Sequence, residues 1–112
     1  MYERWETLSP PLEKAFKKSV SVGELTIYQA NLSGTTALAL TNKAVYLLHR
    51  SWWKTKCVEV PLQDLAEIAL ESRDKIQLVT RDGRRHTLAV AQDSFPKGLK
   101  AVNRVLELVE KI

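Results

Sequence analysis

Alternating apolar and polar positions fill most of the chain between residues 24 and 90. They predict seven strand segments joined by short turns: residues 24–32, 36–41, 44–50, 55–60, 65–70, 76–80 and 85–90. Asp82-Gly83 is the strongest hairpin signal among the turns. The pattern favours antiparallel sheets, because two- to five-residue turns join antiparallel neighbours.

Two segments with helical periodicity flank the strands. In residues 9–20, Leu12 and Phe16 fall on one helix face, and the lysines fall on the other. In residues 95–111, apolar side chains cover half of the helical wheel: Leu99, Val102, Val105, Leu106, Leu108, Val109 and Ile112. A stripe this wide predicts packing against a large apolar surface, with Leu106 buried.

The third predicted strand, residues 44–50, is apolar on both faces. A strand buried on one side only would alternate more cleanly. We therefore expect a cover over its second face. The N-terminal helix and a partner subunit are the two candidates.

Composition, net charge and the cysteine count limit the classes of protein to which the chain can belong. The chain of 112 residues is 45% hydrophobic, enough for one domain with its own core. Its net charge of +4 suits an anionic partner but is also common in ordinary soluble proteins. The single cysteine, Cys57, excludes an internal disulfide. With no signal-peptide pattern and no run of 18 apolar residues, we expect a soluble, cytoplasmic protein.

Three local patterns carry a resemblance to a known family. They are Leu-Thr-Asn-Lys leading into Val-Tyr-Leu at 40–47, Val-Pro-Leu with Asp-Leu and Ile at 60–68, and Thr-Arg-Asp-Gly-Arg at 80–84. Together with seven strands followed by one helix, they resemble the pleckstrin-homology (PH) domain, especially its small bacterial type. The resemblance covers residues 23–112.

The resemblance implies a mainly β fold with helices. Two antiparallel sheets would form a seven-stranded barrel or sandwich capped by a C-terminal α-helix. Residues 23–112 would be the PH-like domain, and residues 1–22 a helical N-terminal extension. PH-like domains bind lipids, peptides or proteins and are rarely enzymes. In lipid-binding members, basic residues flank the loop between the first two strands. The corresponding residues 31–35 contain none, which is a departure from that pattern.

Residues 49–56, His-Arg-Ser-Trp-Trp-Lys-Thr-Lys, form the sharpest candidate site. Adjacent side chains on a strand point to opposite faces, so Trp52 and Trp53 cannot both enter one core. At least one indole should be accessible, and exposed Trp beside Arg and Lys suits a membrane interface, a protein hot spot or base stacking. The alternative is structural: one indole plugs the barrel end and the other packs on the N-terminal helix.

The hairpin at residues 81–86 is the second candidate. If it lies beside the Trp segment, the two form one basic rim that would attract phosphates or an acidic protein. The alternative is a charged, solvated hairpin. The complete predicted binding rim is Arg50, Trp52, Trp53, Lys54, Lys56, Arg81, Arg84 and Arg85.

The sequence offers little for catalysis. His49 and His86 lack metal-ligand spacing, Cys57 lies in a strand pattern, and no glycine-rich phosphate loop is present. We therefore expect no enzyme activity, no metal and no cofactor. The leading function is protein or peptide binding, including self-association into a homo-oligomer. The alternatives are peripheral binding to an anionic membrane surface and, less favoured, nucleic-acid binding.

Overall fold

The computed structural model describes residues 6–111. Its strands follow the predicted order, and each begins and ends within two residues of its predicted bounds: β1 Thr26–Asn31, β2 Thr36–Thr41, β3 Ala44–Arg50, β4 Thr55–Pro61, β5 Leu65–Glu71, β6 Lys75–Thr80 and β7 Arg85–Ala89. The helices are α1, Pro10–Ser19, and α2, Phe95–Glu110. Ile112, expected on the buried face of α2, lies outside the described residues.

The strands form two antiparallel sheets, as predicted. The first sheet has the order β1-β2-β3-β4, and the second has the order β5-β6-β7. A 3-10 turn at Leu62–Asp64 carries the chain from one sheet to the other. Neither helix among the described residues has the length and hydrophobicity needed to cross a membrane.

The main core lies between the sheets, and α2 closes one side of it. Alternate residues of β2 and β3, among them Leu38, Leu40 and Val45, are fully buried there against Ile76 and Leu78 of β6. α2 approaches closely because Gly98 has no side chain. A Cβ at this position would lie 3.3 Å from Leu70 Cδ1 and 3.3 Å from Val90 Cγ1. The small residue at position 98 therefore lets α2 pack closely against the sandwich.

The prediction that Leu106 is buried is wrong. Leu106 is 42% exposed and Leu99 is 45% exposed. The face of α2 that enters the core is centred on Ala101, Val102 and Val105. Because small residues allow the closest approach, they decide how the helix is rotated, and a pattern built on large apolar side chains misplaces the face.

A second apolar cluster lies on the outer face of the first sheet. α1 covers this face with Leu12 and Phe16, and the Phe16 ring packs edge to face on Tyr46 with centroids 5.1 Å apart. Ala37, Ala39 and Ala44 provide a shallow surface on which the helix can lie. Of the two covers expected for the second face of β3, the structure has the N-terminal helix. The division into an extension at 1–22 and a domain at 23–112 stays a prediction.

One carboxylate organises the polar groups beside this cluster. Glu24 Oε2 accepts hydrogen bonds from Tyr46 Oη and Thr41 Oγ1, both at 2.5 Å, and Oε1 accepts one from Ser21 N–H at 3.0 Å. Partial burial would raise the pKa of Glu24, but these hydrogen bonds and the nearby Lys43 outweigh it and lower the pKa. Burial and the Glu24 carboxylate raise the pKa of Tyr46, which stays a hydrogen-bond donor.

A Leu12→Ala substitution should lower the free energy of unfolding by roughly 2–5 kcal/mol, because Leu12 of α1 is 1% exposed where the helix covers the first sheet. The matched control is Leu106→Ala, for which we expect a loss of about 0.5–1 kcal/mol. Urea unfolding followed by circular dichroism measures both. Equal losses would mean that α1 does not share in the cooperative fold.

A Glu24→Gln substitution should remove part of the acid sensitivity of the fold. A carboxylate whose folded pKa is lowered stabilises the protein fully above its unfolded pKa, here 4.5, and loses that contribution as the pH falls through the lowered folded value. The stability difference between wild type and variant should thus be constant above pH 4.5 and shrink below it. Thermal unfolding across this range checks the prediction, and a difference that does not change with pH would contradict it.

Candidate functional site

The two candidate tryptophans occupy the tip of the β3–β4 hairpin. Ser51 N–H donates to Lys54 O at 2.8 Å, and Ser51 Oγ donates to the same oxygen at 3.0 Å. These bonds close a four-residue turn, Ser51–Lys54, which we name the Trp turn. Trp52 and Trp53 are its two central residues, so their side chains project beyond the sheet rather than onto either face.

Both indoles are largely exposed. Trp52 is 88% exposed and Trp53 is 76% exposed. Their rings stack on each other, with centroids 5.3 Å apart and an interplanar angle of 12°. The expectation of at least one accessible indole is confirmed. The structural alternative, in which the indoles plug the barrel end and pack on α1, is wrong.

Cations surround the Trp turn. Arg50, Lys54 and Lys56 are all exposed, and no acidic residue occurs between Ala44 and Val58. Arg50 N–H donates to Thr35 O at 2.8 Å, which ties this end of β3 to the turn between β1 and β2. The Trp turn is therefore an apolar tip with a positively charged base.

The structure does not bring the eight predicted residues onto one rim. Arg81 N–H donates to Asp64 O at 2.8 Å, so the β6–β7 hairpin lies beside the chain that leaves β4. The Trp turn lies at the other end of β4, and a seven-residue strand is about 20 Å long. Arg81 and Arg84 are thus at the far end of β4 from Trp52 and Trp53.

Two arginines of the β6–β7 hairpin, Arg84 and Arg85, also have polar partners nearby. Arg84 Nε lies 3.2 Å from Asp82 Oδ2. A hydrogen bond from Thr80 and others from the hairpin lower the pKa of the exposed Asp82 carboxyl. Arg85 lies across the pair of strands from Val79, and its Nη1 is 2.9 Å from the side-chain oxygen of Gln77 in the amide orientation that satisfies both neighbours of that amide. Arg84 and Arg85 are thus held by local polar contacts.

Lys56 faces a groove that the sequence did not reveal as a site. The groove lies between the β3–β4 pair and β7, and both histidines line it, His49 and His86, together with Lys75. The pairing of His49 with Lys56 follows from the β3–β4 register and could have been anticipated. The proximity of β7 could not, because it depends on how one sheet packs on the other.

The environment of Cys57 does not favour a nucleophilic thiol. Burial raises the pKa of the Cys57 thiol, which packs beside the cluster under α1 and is protonated at neutral pH. Within residues 6–111, no three His, Cys, Asp or Glu side chains are grouped so that they could hold a metal ion.

Comparisons with known proteins show the fold. No family model matches the chain, and no curated protein matches it in sequence. Among solved structures, the N-terminally truncated linker-DH/PH domains of p115-RhoGEF match over 94% of this chain with a TM-score of 0.60 and 12% sequence identity. The fold is PH-like. This chain spans 35% of that chain's length, so the likeness concerns the fold alone. The small bacterial type stays a prediction.

Proposed function

We propose that this PH-like domain is a non-catalytic binding module that docks on anionic membrane surfaces through the Trp turn. The observation that carries the proposal is the pair of stacked, exposed indoles at a projecting tip with a cationic base. Tryptophan prefers the membrane–water interface, where its ring is apolar and its N–H is hydrated. Arg50, Lys54 and Lys56 supply the attraction to anionic headgroups.

The magnitudes favour a membrane over a large protein interface. A buried aromatic side chain removes about 150–250 Å² from water, so full burial of each indole would contribute roughly 4–6 kcal/mol before the costs of association. Each nearby cation adds about 1 kcal/mol at an anionic surface. Stable protein interfaces need about 800 Å² from each partner, which is more than a four-residue convex tip offers.

Charge also argues against pairing of two Trp turns. A symmetric dimer through this surface would place Arg50, Lys54 and Lys56 of one copy against the same residues of the other, and such like-charge contacts are costly. The proposal does not include a specific headgroup pocket, because the neighbouring turn at residues 32–35 carries no basic side chain.

Changing Trp52 and Trp53 to Ala together should abolish most binding to vesicles that contain phosphatidylserine, because the apolar anchor is removed. Co-sedimentation with these vesicles and with pure phosphatidylcholine vesicles measures the effect. The matched control is Leu99→Ala with Leu106→Ala, which removes two exposed apolar side chains elsewhere and should bind as wild type does. Absence of binding by the wild type, or normal binding by the tryptophan variant, would contradict the proposal.

Reversing charge beside the Trp turn should weaken the same binding, whereas reversing it at the far end of β4 should not. The test pair is Arg50→Glu with Lys54→Glu, and the control pair is Arg81→Glu with Arg84→Glu. Because exposed charges are screened by salt, binding by the wild type should also fall between about 0.1 and 1 M salt. Equal loss in the two pairs would indicate attraction by net charge rather than docking through the Trp turn.

A further inference from the structure

The groove between the sheets has the features of a second binding site, which shares only Lys56 with the cationic base of the Trp turn. It has a volume of about 590 Å³, within the usual range of ligand sites. Leu47 and Val58 form part of its base on the inner face of the β3–β4 pair, and residues 85–89 of β7 form its wall. Since β4 and β7 are edge strands of different sheets, the groove runs between two strand edges.

The wall of the groove presents backbone hydrogen-bonding groups. Thr80 N–H donates to Arg84 O at 2.9 Å, and Val90 N–H donates to Asp74 O at 2.7 Å, at the two ends of the β6–β7 pair. Hydrogen-bonded positions alternate along an antiparallel pair, so residues 84, 86, 88 and 90 direct their backbone groups toward β6. Those of Arg85 and Thr87 consequently point away from β6, toward the groove.

A contact at the end of β7 agrees with this alternation. Ala89 lies two residues after Thr87, so its backbone groups point the same way as those of Arg85 and Thr87. Its carbonyl oxygen accepts a hydrogen bond from Thr36 Oγ1 at 2.6 Å. Thr36 belongs to β2, in the first sheet. The outward edge of β7 therefore faces the first sheet, and its middle residues face the groove.

The side chains around the groove are mainly basic. His49 and Lys56 lie opposite each other on β3 and β4, and Lys75 and His86 lie on β6 and β7. Asp74 is the one carboxylate among the lining residues. Lys56, Lys75 and Arg85 against Asp74 give the lining a net positive charge, which favours a ligand with negative charge.

We propose that this groove binds an extended acidic peptide of about five residues, which adds as a strand to the free edge of β7. The backbone of such a peptide supplies donors and acceptors that match those of Arg85 and Thr87. Its acidic side chains meet Lys56 and Lys75. A small anion would satisfy the charges but would leave the edge of β7 unused, so the two observations together favour a peptide.

The test uses a fluorescently labelled peptide of alternating Glu and Val, with fluorescence anisotropy as the readout. A peptide of alternating Lys and Val controls for charge. A copy of the acidic peptide with N-methyl groups on alternate amides controls for strand pairing. We expect binding of the acidic peptide only, because the first control reverses the attraction and the second blocks the backbone bonds.

Substitutions locate the site. Thr87→Pro removes an outward N–H without removing a β6–β7 hydrogen bond, and an edge strand tolerates proline there. It should weaken peptide binding by about tenfold. Lys56→Glu with Lys75→Glu should weaken it by about tenfold or more, whereas the charge-matched control Lys18→Glu with Lys111→Glu should leave it unchanged.

The outcomes separate this proposal from the one on membranes. The variant with Trp52 and Trp53 changed to Ala should keep its affinity for the peptide, so loss of vesicle binding and loss of peptide binding are independent results. Failure of the acidic peptide to bind overturns the groove proposal, as does equal binding of the N-methylated copy or an unchanged affinity in both groove variants. If the Thr87→Pro variant does not fold, the peptide affinity of the variant with Lys56→Glu and Lys75→Glu decides whether the groove is the site.

Discussion

Burial of the β2–β3 hairpin on both faces is the constraint on which the rest of the structure depends. Leu38, Leu40 and Val45 point into the core between the sheets, while Ala39 and Tyr46 point to the cluster under α1. Neither layer alone would keep this hairpin out of water. α1 is therefore a structural layer of the protein, and the sandwich can present its loops and edges without exposing its most apolar strands.

The order of strands and helices could be predicted because it depends on patterns among residues that are close in sequence. Period-two alternation, the Asp82-Gly83 turn and the apolar stripe of the last helix each depend on neighbouring residues. The doubly apolar pattern of β3 even required a second cover, which proved to be α1. The rotation of α2 could not be predicted, because Gly98 and Ala101 act through close approach to Leu70 and Val90, residues distant in sequence.

The same distinction between local patterns and contacts distant in sequence applies to the candidate site. The exposure of the indoles followed partly from the rule that adjacent strand residues face opposite ways, and the turn at Ser51–Lys54 accounts for the exposure of both. The single basic rim failed because it assumed how two hairpins from different sheets lie relative to each other. The groove was missed for the same reason. Lys56 was recognised by its charge, whereas its neighbours on β7 lie near it only because of how the two sheets pack.

The gap between β4 and β7 also has a consequence for solubility. An unpaired strand edge could recruit the same edge of another copy, and the copies could grow into an aggregate. Lys56 and Glu59 on β4 and Arg85 on β7 place charged side chains along these edges. Charged side chains on edge strands hinder edge-to-edge pairing between identical molecules. Lys56, which would attract an acidic peptide, thus also hinders edge-to-edge association between copies.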